Sequence, residues 1–358
     1  MSHIAIYLPS LLGGGAERVM VGVANGLAGR GHDVDLVLVK AKGPYLPEVS
    51  GRVNVIDLDR SRVITSLWPL IRYLKRKRPD AMLSALFHSN LVAIMAWLLA
   101  GVTTRIVVSE RNSLVGLSDR GSWLVRWLMA RLYRRADAIV AVSQGIAEEL
   151  VSGLGLPRER VVAIPNSVDV DRIRALAGER PQHPWFESGA PPVILAVGRL
   201  EPQKDYPTLL AAFERVRSNH AVRLIILGEG GSRPELERFI ANAGLGDSIC
   251  LAGFQSNPFA WMAAAKVYVL SSTHEGFPNS LIQAMACGVR VVSTNCPTGP
   301  DEILEGGKWG ALVSVGNSNA LAAAISDALD SISWPDPSGR LCNFHPDAIL
   351  ADFEQILT

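Results

Sequence analysis

A carboxylate, two cations and an amide stand in this 358-residue sequence where they can touch different parts of one ligand. Glu275 follows a short apolar run, 267–270, that reads as a buried strand. After it comes an Ala-, Leu- and Met-bearing helix that Pro278 opens and Gly288 stops. Proline suits the first helical turn, where its missing N–H costs nothing, and glycine just past the end suits a C-cap. Glu275 is therefore expected at a strand-to-helix crossing, beside the unpaired N–H groups of a helix N-terminus, where phosphates are attracted. Gln283 lies on the same helix, over a turn further on. A carboxylate at the mouth and an amide inside can touch two parts of one ligand. A buried helix with a glycine-hinged turn, common in α/β proteins, would carry the same pattern. Arg199 and Lys204, five residues apart, follow the apolar run 193–197 and precede a helix. An arginine grips two phosphate oxygens at once and a lysine acts as a point charge; a plain surface pair of cations is the alternative.

Other candidates fall at strand ends or loop starts, where open α/β sheets bind ligands. His88 follows the run 81–86, and its ordinary pKa suits holding or deprotonating a hydroxyl; a helix-start histidine with a satisfied hydrogen bond is the plainer reading. Glu110, Arg111 and Asn112 follow the run 105–109. Gly13, Gly14 and Gly15 follow the first strand, an arrangement in which bare backbone approaches a phosphate. Gly228 and Gly230 form a second strand-end turn. Around Phe254 and Gln255 a third turn offers backbone groups that can read a base edge, unless it is an ordinary loop around a core phenylalanine. The Asp-x-Asp pairs Asp33/Asp35, Asp57/Asp59 and Asp169/Asp171 read as strand-edge and turn acids, and no metal site is expected.

The elements that must position these groups alternate strand and helix along the chain, which predicts doubly wound parallel sheets. Strands are expected at 4–8, 34–39, 53–57, 81–86, 105–109, 138–142 and 161–164, then at 193–197, 222–227, 249–252, 267–270, 289–293 and 311–315. Helices are expected at 16–28, 66–77, 89–99, 122–134, 144–152 and 346–357. Residues 178–192, rich in proline and glycine, read as a linker between domains at 1–177 and 193–345.

With 48% hydrophobic residues and a net charge of +1, the chain can build two cores and carries no overall nucleic-acid footprint. The charge is uneven: +8 over residues 1–165 and −7 over 166–358. Helix 66–77 ends in a basic cluster, and helix 122–134 mixes Trp123 and Trp127 with arginines. Tryptophan and basic residues on an apolar helix suit a membrane interface with anionic lipid; core helices with solvated arginine faces would look alike. The apolar run 91–100 is too short to span a bilayer and reads as a buried helix. The four cysteines form no close pair and read as reduced, buried thiols, and the opening strand lacks a signal peptide's pattern. A cytoplasmic protein, peripheral on the inner face of the membrane, is expected.

Residues 275–283 resemble the signature of the retaining, GT-B-fold glycosyltransferases of family 4, the group 1 transferases, in which Glu-Gly-Phe is followed by a second glutamate eight residues after the first. Glu275 matches the first glutamate; Gln283 departs from the second. Gly198-Arg199-Leu200 with Lys204 is similar to the family's cation motif, the Gly228 turn to its nucleotide-pocket turn, and 165–169 to its Pro-Asn-Gly-Val-Asp segment, with Ser167 for glycine. The resemblance implies a GT-B fold, two Rossmann-like domains facing across a cleft, with the last helix crossing back onto the first domain. It implies that a hexose or N-acetylhexosamine passes from a nucleotide diphosphate sugar, UDP-linked by expectation, to a hydroxyl of a lipid-linked or cell-envelope glycan, by front-side attack with the leaving phosphate helping deprotonation. Glu275 would meet the donor sugar, and Arg199 and Lys204 the departing diphosphate. His274 and Gly276, Phe277, Pro278, Asn279 and Ser280 would bring backbone groups to sugar and phosphate. Gln283 would face the ribose, Gly228, Phe254 and Gln255 the nucleotide, and His88, Gly14 and Gly15 the acceptor side or donor phosphates. The cations and the helix mouth would neutralise the diphosphate without a metal. An epimerase of the same fold and a non-catalytic nucleotide-sugar-binding subunit remain alternatives, the latter resting on Gln283.

Overall fold

The computed structural model describes residues 1–12, 14–114 and 122–358; Gly13, first of the glycine triplet, lies outside them. The chain divides into two compact units, residues 1–167 with 346–358, and residues 168–345.

Unit 1 is built on β1 (His3–Leu8), β2 (Asp33–Leu38), β3 (Asn54–Asp57), β4 (Ala81–Ala85), β5 (Arg105–Glu110), β6 (Ala138–Ala141) and β7 (Val161–Ala163). They form one parallel sheet in the order β3-β2-β1-β4-β5-β6-β7. Ile4 through Leu8 are fully buried, because helices cover both faces and a continuous apolar run satisfies both. In register, Ile4 faces Val34 on one side and Ala81 on the other. Strand order reverses between β1 and β4, and such a switch point is where open sheets bind ligands. The glycine turn follows β1, and Leu86 and His88 follow β4.

Helix Pro346–Leu357 belongs to this unit: Ile349, Leu350, Phe353 and Leu357 share a core with Ile4, Leu27 and Val107. Arg30 donates to Glu354 at 2.5 Å, and His32 Nε2 lies 2.8 Å from the other carboxylate oxygen. Helix Ser122–Tyr133 buries Met129 and Tyr133, while Trp123 and Trp127 stand 71% and 54% exposed. Its neighbour, helix Phe87–Ala100, is buried along most of its length but exposes Leu98 and Leu99. Helix Leu67–Lys77 packs on the far side of Phe87–Ala100 and exposes Trp68. Among the described residues, no helix is long and apolar enough to cross a membrane.

Unit 2 carries β8 (Val193–Val197), β9 (Arg223–Leu227), β10 (Ile249–Gly253), β11 (Val267–Leu270), β12 (Arg290–Thr294) and β13 (Ala311–Val313) in the parallel order β10-β9-β8-β11-β12-β13. The switch point here lies between β8 and β11. Residues 168–177 group with this unit rather than with unit 1: Val168 N donates to Phe344 O at 2.8 Å, and Asn257 Nδ2 donates to Leu176 O at 2.9 Å. The proline-rich segment after them is held down too. His183 and Phe186 pack their rings on Trp261, and the Arg223 guanidinium sits 4.8 Å from the centre of the Trp185 ring. All four cysteines are free; Cys296 is buried, but Cys342 is exposed on a short helix end, contrary to the expectation for a buried thiol.

Candidate functional site

The loops after β8 and β11 meet at the switch point of unit 2. Side-chain and backbone hydrogen bonds lace them together: Ser271 Oγ donates to Lys204 O at 2.6 Å, Thr273 N donates to Gln203 O at 2.8 Å, and Gln203 Nε2 donates to His274 O at 2.8 Å. Lys204 and Glu275 are thereby brought side chain to side chain, with Nζ 2.6 Å from Oε1. Both are largely buried, at 15% and 9% side-chain exposure, so little solvent screens the pair. Ser272 Oγ donates to the same Oε1 at 2.6 Å, while among the described residues no donor reaches Oε2. Thr298, in a left-handed conformation, donates its hydroxyl to the Glu275 carbonyl. Arg199 is exposed on the same β8 loop, and no carboxylate among the described residues pairs with it.

Helix Asn279–Ala286 opens four residues after Glu275, with Pro278 at its N-cap and no side chain capping it. Gly288 takes φ +75° just past its end, the left-handed conformation that glycine adopts freely. Phe277 and Pro278 are buried, and Ser280 Oγ accepts from the fully buried Tyr268 hydroxyl at 2.8 Å. Phe277 packs edge-on against Phe344, 5.8 Å between centres. Gln283 is half-buried, and its amide makes no hydrogen bond within the described protein.

Gly228 closes the next turn at φ +137°. A Cβ there would stand 1.9 Å from Gly198 O, so the β9 turn and the Arg199 loop touch backbone to backbone. Arg233 bonds Glu229 and the Leu251 carbonyl, tying this turn to β10. On the loop after β10 Phe254 is 78% exposed, so the alternative of a core phenylalanine does not hold. Gln255 Nε2 donates to Ala252 O at 2.9 Å, so its amide nitrogen is already engaged.

In unit 1, His88 is half-buried at the start of helix Phe87–Ala100, with the Phe87 ring edge-on 5.1 Å away. Burial lowers its pKa, so its imidazole is neutral near pH 7. It makes no hydrogen bond among the described residues, unlike the satisfied helix-start histidine of the plainer reading. Gly14 is exposed and precedes helix Gly15–Gly29, and the Glu17 carboxylate lies over it. An anion approaching this turn would have to displace that carboxylate.

At the end of β5, Glu110 and Arg111 are interior rather than open strand-end groups. Glu110 accepts from the Tyr133 hydroxyl at 2.9 Å and from the Arg111 N–H at 3.1 Å. Burial nevertheless pushes its carboxyl up to about 7 and pulls the Arg111 guanidinium down to about 10. Asn166 is buried as well and accepts from Arg111 at 2.5 Å, which makes it part of this network. Of the Asp-x-Asp acids, Asp35 is buried under bonds from His3, Asn54 and Tyr73, and Asp169 caps helix Val170–Ala177. Sequence reading passed over Ser272 and Thr298. Neither stands in a periodic pattern, and only their place three residues before Glu275 and beside Gly299 marks them.

Residues 191–331 match the family described as glycosyl transferases group 1, and residues 13–172 match glycosyltransferase family 4; the two models together cover most of the chain. The chain is 29% identical over 347 residues to an N-acetylgalactosaminyltransferase of Campylobacter jejuni that acts on N-acetylgalactosamine-N,N'-diacetylbacillosaminyl-diphospho-undecaprenol, covering 92% of this chain and 91% of that one. It is 28% identical to the lipopolysaccharide core biosynthesis glycosyltransferase LpsE of Rhizobium meliloti, covering 87% of this chain and 84% of the relative. Among solved structures, Anabaena HepE in complex with UDP-glucose superposes with a TM-score of 0.82 at 19% identity, covering 100% of this chain and 99% of that one. A glycosyltransferase from Rickettsia africae superposes with a TM-score of 0.81 at 18% identity, covering 99% and 97%. At such identities the structures speak for the fold, and they bear out the expected GT-B class of two Rossmann-like domains. The named relatives are transferases, which sets aside the epimerase and the non-catalytic subunit. The chain belongs to the group 1, family 4 glycosyltransferases, and sugar transfer is its activity.

Proposed function

We propose that this enzyme moves a hexose or N-acetylhexosamine from a UDP-sugar, with retention at the anomeric carbon, to a hydroxyl of a lipid-linked or cell-envelope glycan. One observation carries the donor half of this reading: Lys204 and Glu275 are joined at the switch point of unit 2, with the exposed Arg199 beside them on the β8 loop. A departing diphosphate gains negative charge as the bond from C1 to its β-phosphate oxygen breaks. Arg199, Lys204 and the mouth of helix Asn279–Ala286 then stabilise that charge without a metal. Glu275 Oε2 accepts from a donor-sugar hydroxyl, Gln283 faces the ribose, and the Gly228, Phe254 and Gln255 turns take the base. The new C1–O bond forms on the same face, and the acceptor's proton passes to the leaving phosphate oxygen. His88, half-buried and neutral, holds the acceptor hydroxyl. Gly14 and Gly15 line the approach, once Glu17 moves aside.

The acceptor half rests on the relatives' names, which include a diphospho-undecaprenol glycan transferase and a lipopolysaccharide core enzyme. It also rests on the excess of basic charge over residues 1–165 and on the exposed Trp68, Trp123 and Trp127. Together these favour an enzyme working at the cytoplasmic face of a membrane. The test is to incubate the protein with a panel of nucleotide sugars and membrane-derived acceptor and to follow nucleoside diphosphate release. Release confined to UDP-sugars and dependent on acceptor is expected. Tight nucleotide binding with no release from any donor would overturn the reading.

A further inference from the structure

We propose that Ser272 is the positioning residue of Glu275, holding Oε1 so that Oε2 is presented to the donor sugar. The inference rests on the donor-side reading above and assigns a residue that the reading lacks. Ser272 is fully buried on the loop two residues past β11, and its own carbonyl is fixed by the Thr294 hydroxyl at 2.6 Å. Its neighbour Ser271 holds the backbone of Lys204, while Ser272 holds the side chain of Glu275. Two adjacent serines therefore set the cation and the carboxylate against one another.

The asymmetry at the carboxylate is the informative feature. Oε1 takes both donors, Lys204 Nζ and Ser272 Oγ, each at 2.6 Å, and Oε2 takes none among the described residues. Glu275 itself is only 7% exposed, so water does little to orient it. When a diphosphate arrives it competes for the ammonium, whose three N–H groups cannot all stay aimed at the carboxylate. Ser272 carries no charge, is not drawn to the phosphates, and goes on gripping Oε1. Without it Glu275 would lose its orientation at the moment the sugar must be held, and a misplacement of about 1 Å is enough to lose much of a rate.

A structural serine and a positioning serine differ in what they spare. The probes are UDP and the UDP-sugar that the wild-type protein turns over, or UDP-glucose should it turn over none. Ser272→Ala is expected to leave Kd for UDP within twofold, to weaken UDP-sugar binding about tenfold, and to lower kcat by about tenfold or more, with Tm little changed. Ser272→Cys, close in size and a weaker donor, should fall between wild type and alanine on each scale. Equal losses for UDP and UDP-sugar, or a kcat for Ser272→Ala equal to wild type, would overturn the proposal. A wild-type protein that releases nothing from any donor would instead remove the transfer reading, while the ratio of UDP-sugar to UDP affinity would still report on Ser272.

Discussion

Lys204 and Glu275 stand 71 residues apart in sequence and meet at 2.6 Å, one on the loop after β8 and the other on the loop after β11. The two loops follow neighbouring parallel strands, and the strand order reverses between them. The contact is therefore a property of the topology as much as of either loop. It also joins opposite charges where water is scarce, so neither charge is easily left alone.

Removing either partner strands the other. Lys204→Met leaves a buried carboxylate without its cation, and a loss of about 3 kcal/mol of stability is expected. Glu275→Gln should cost less, because the more exposed ammonium can turn to solvent, while turnover falls by roughly 10²–10³-fold. The double variant should recover most of the stability that Lys204→Met loses. Chemical denaturation of the four proteins checks this, and strict additivity of the two single losses would contradict a coupled pair.

Gln283 is the departure from the family pattern, and its amide has no hydrogen-bond partner among the described residues. A carboxylate there could accept from both ribose hydroxyls, whereas the amide offers a single acceptor. Gln283→Glu is expected to tighten nucleotide binding by roughly 1–2 kcal/mol, with turnover equal or higher. Calorimetry with UDP and steady-state kinetics read both. A large fall in turnover would mean that the amide is required as a donor.

Gly228 tests the nucleotide turn. Its φ of +137° is closed to other residues, and an added Cβ would strike Gly198 O. Gly228→Ala should therefore push the β9 turn off the Arg199 loop, raising KM for the donor more than tenfold and lowering Tm. An alanine variant with wild-type KM would show that this turn does not shape the nucleotide site.

The strands and the donor loops were legible because their signals are local. Parallel strands buried on both faces read as continuous apolar runs, and the thirteen expected strands all form within a residue or two. Glu275, Arg199 and Lys204 lie directly after such runs. What stayed hidden depends on partners distant in sequence. Helix Val170–Ala177 carries the same Asp169 cap whichever unit it joins, and ties distant in sequence, from Asn257 to Leu176 O and from Val168 to Phe344 O, settle the matter. Helix 144–152 was expected whole, yet it ends as α-helix at Glu148 and continues as a π turn over Glu149–Gly153. Glu110 looked like an open strand-end acid until Tyr133 and Arg111 enclosed it.

That enclosure has a pH signature. Burial raises the Glu110 carboxyl to about 7, so the folded protein keeps a proton that the unfolded chain has given up. Stability from this group is therefore fully present below the ordinary carboxylate value. It falls as pH rises toward 7 and levels off above it. Wild type should lose roughly 3 kcal/mol more than Glu110→Gln between pH 4.5 and 7.5. Parallel curves for the two proteins in denaturant titrations across that range would mean that Glu110 is ionised in the fold.

The exposed tryptophans supply the last test. Trp123, Leu124 and Trp127 are exposed on helix Ser122–Tyr133, which packs beside the helix exposing Leu98 and Leu99. Apolar rings left in solvent beside arginines lose nothing by entering a lipid interface, and each buried ring gains from leaving water. The protein should therefore sediment with vesicles containing anionic phospholipid, and less so as salt rises. Trp123→Ser with Trp127→Ser should reduce the bound fraction at least fivefold while leaving transfer to a short soluble acceptor unchanged. Equal sedimentation of the variant and wild type would mean that this helix faces water, and that the basic excess of residues 1–165 acts elsewhere.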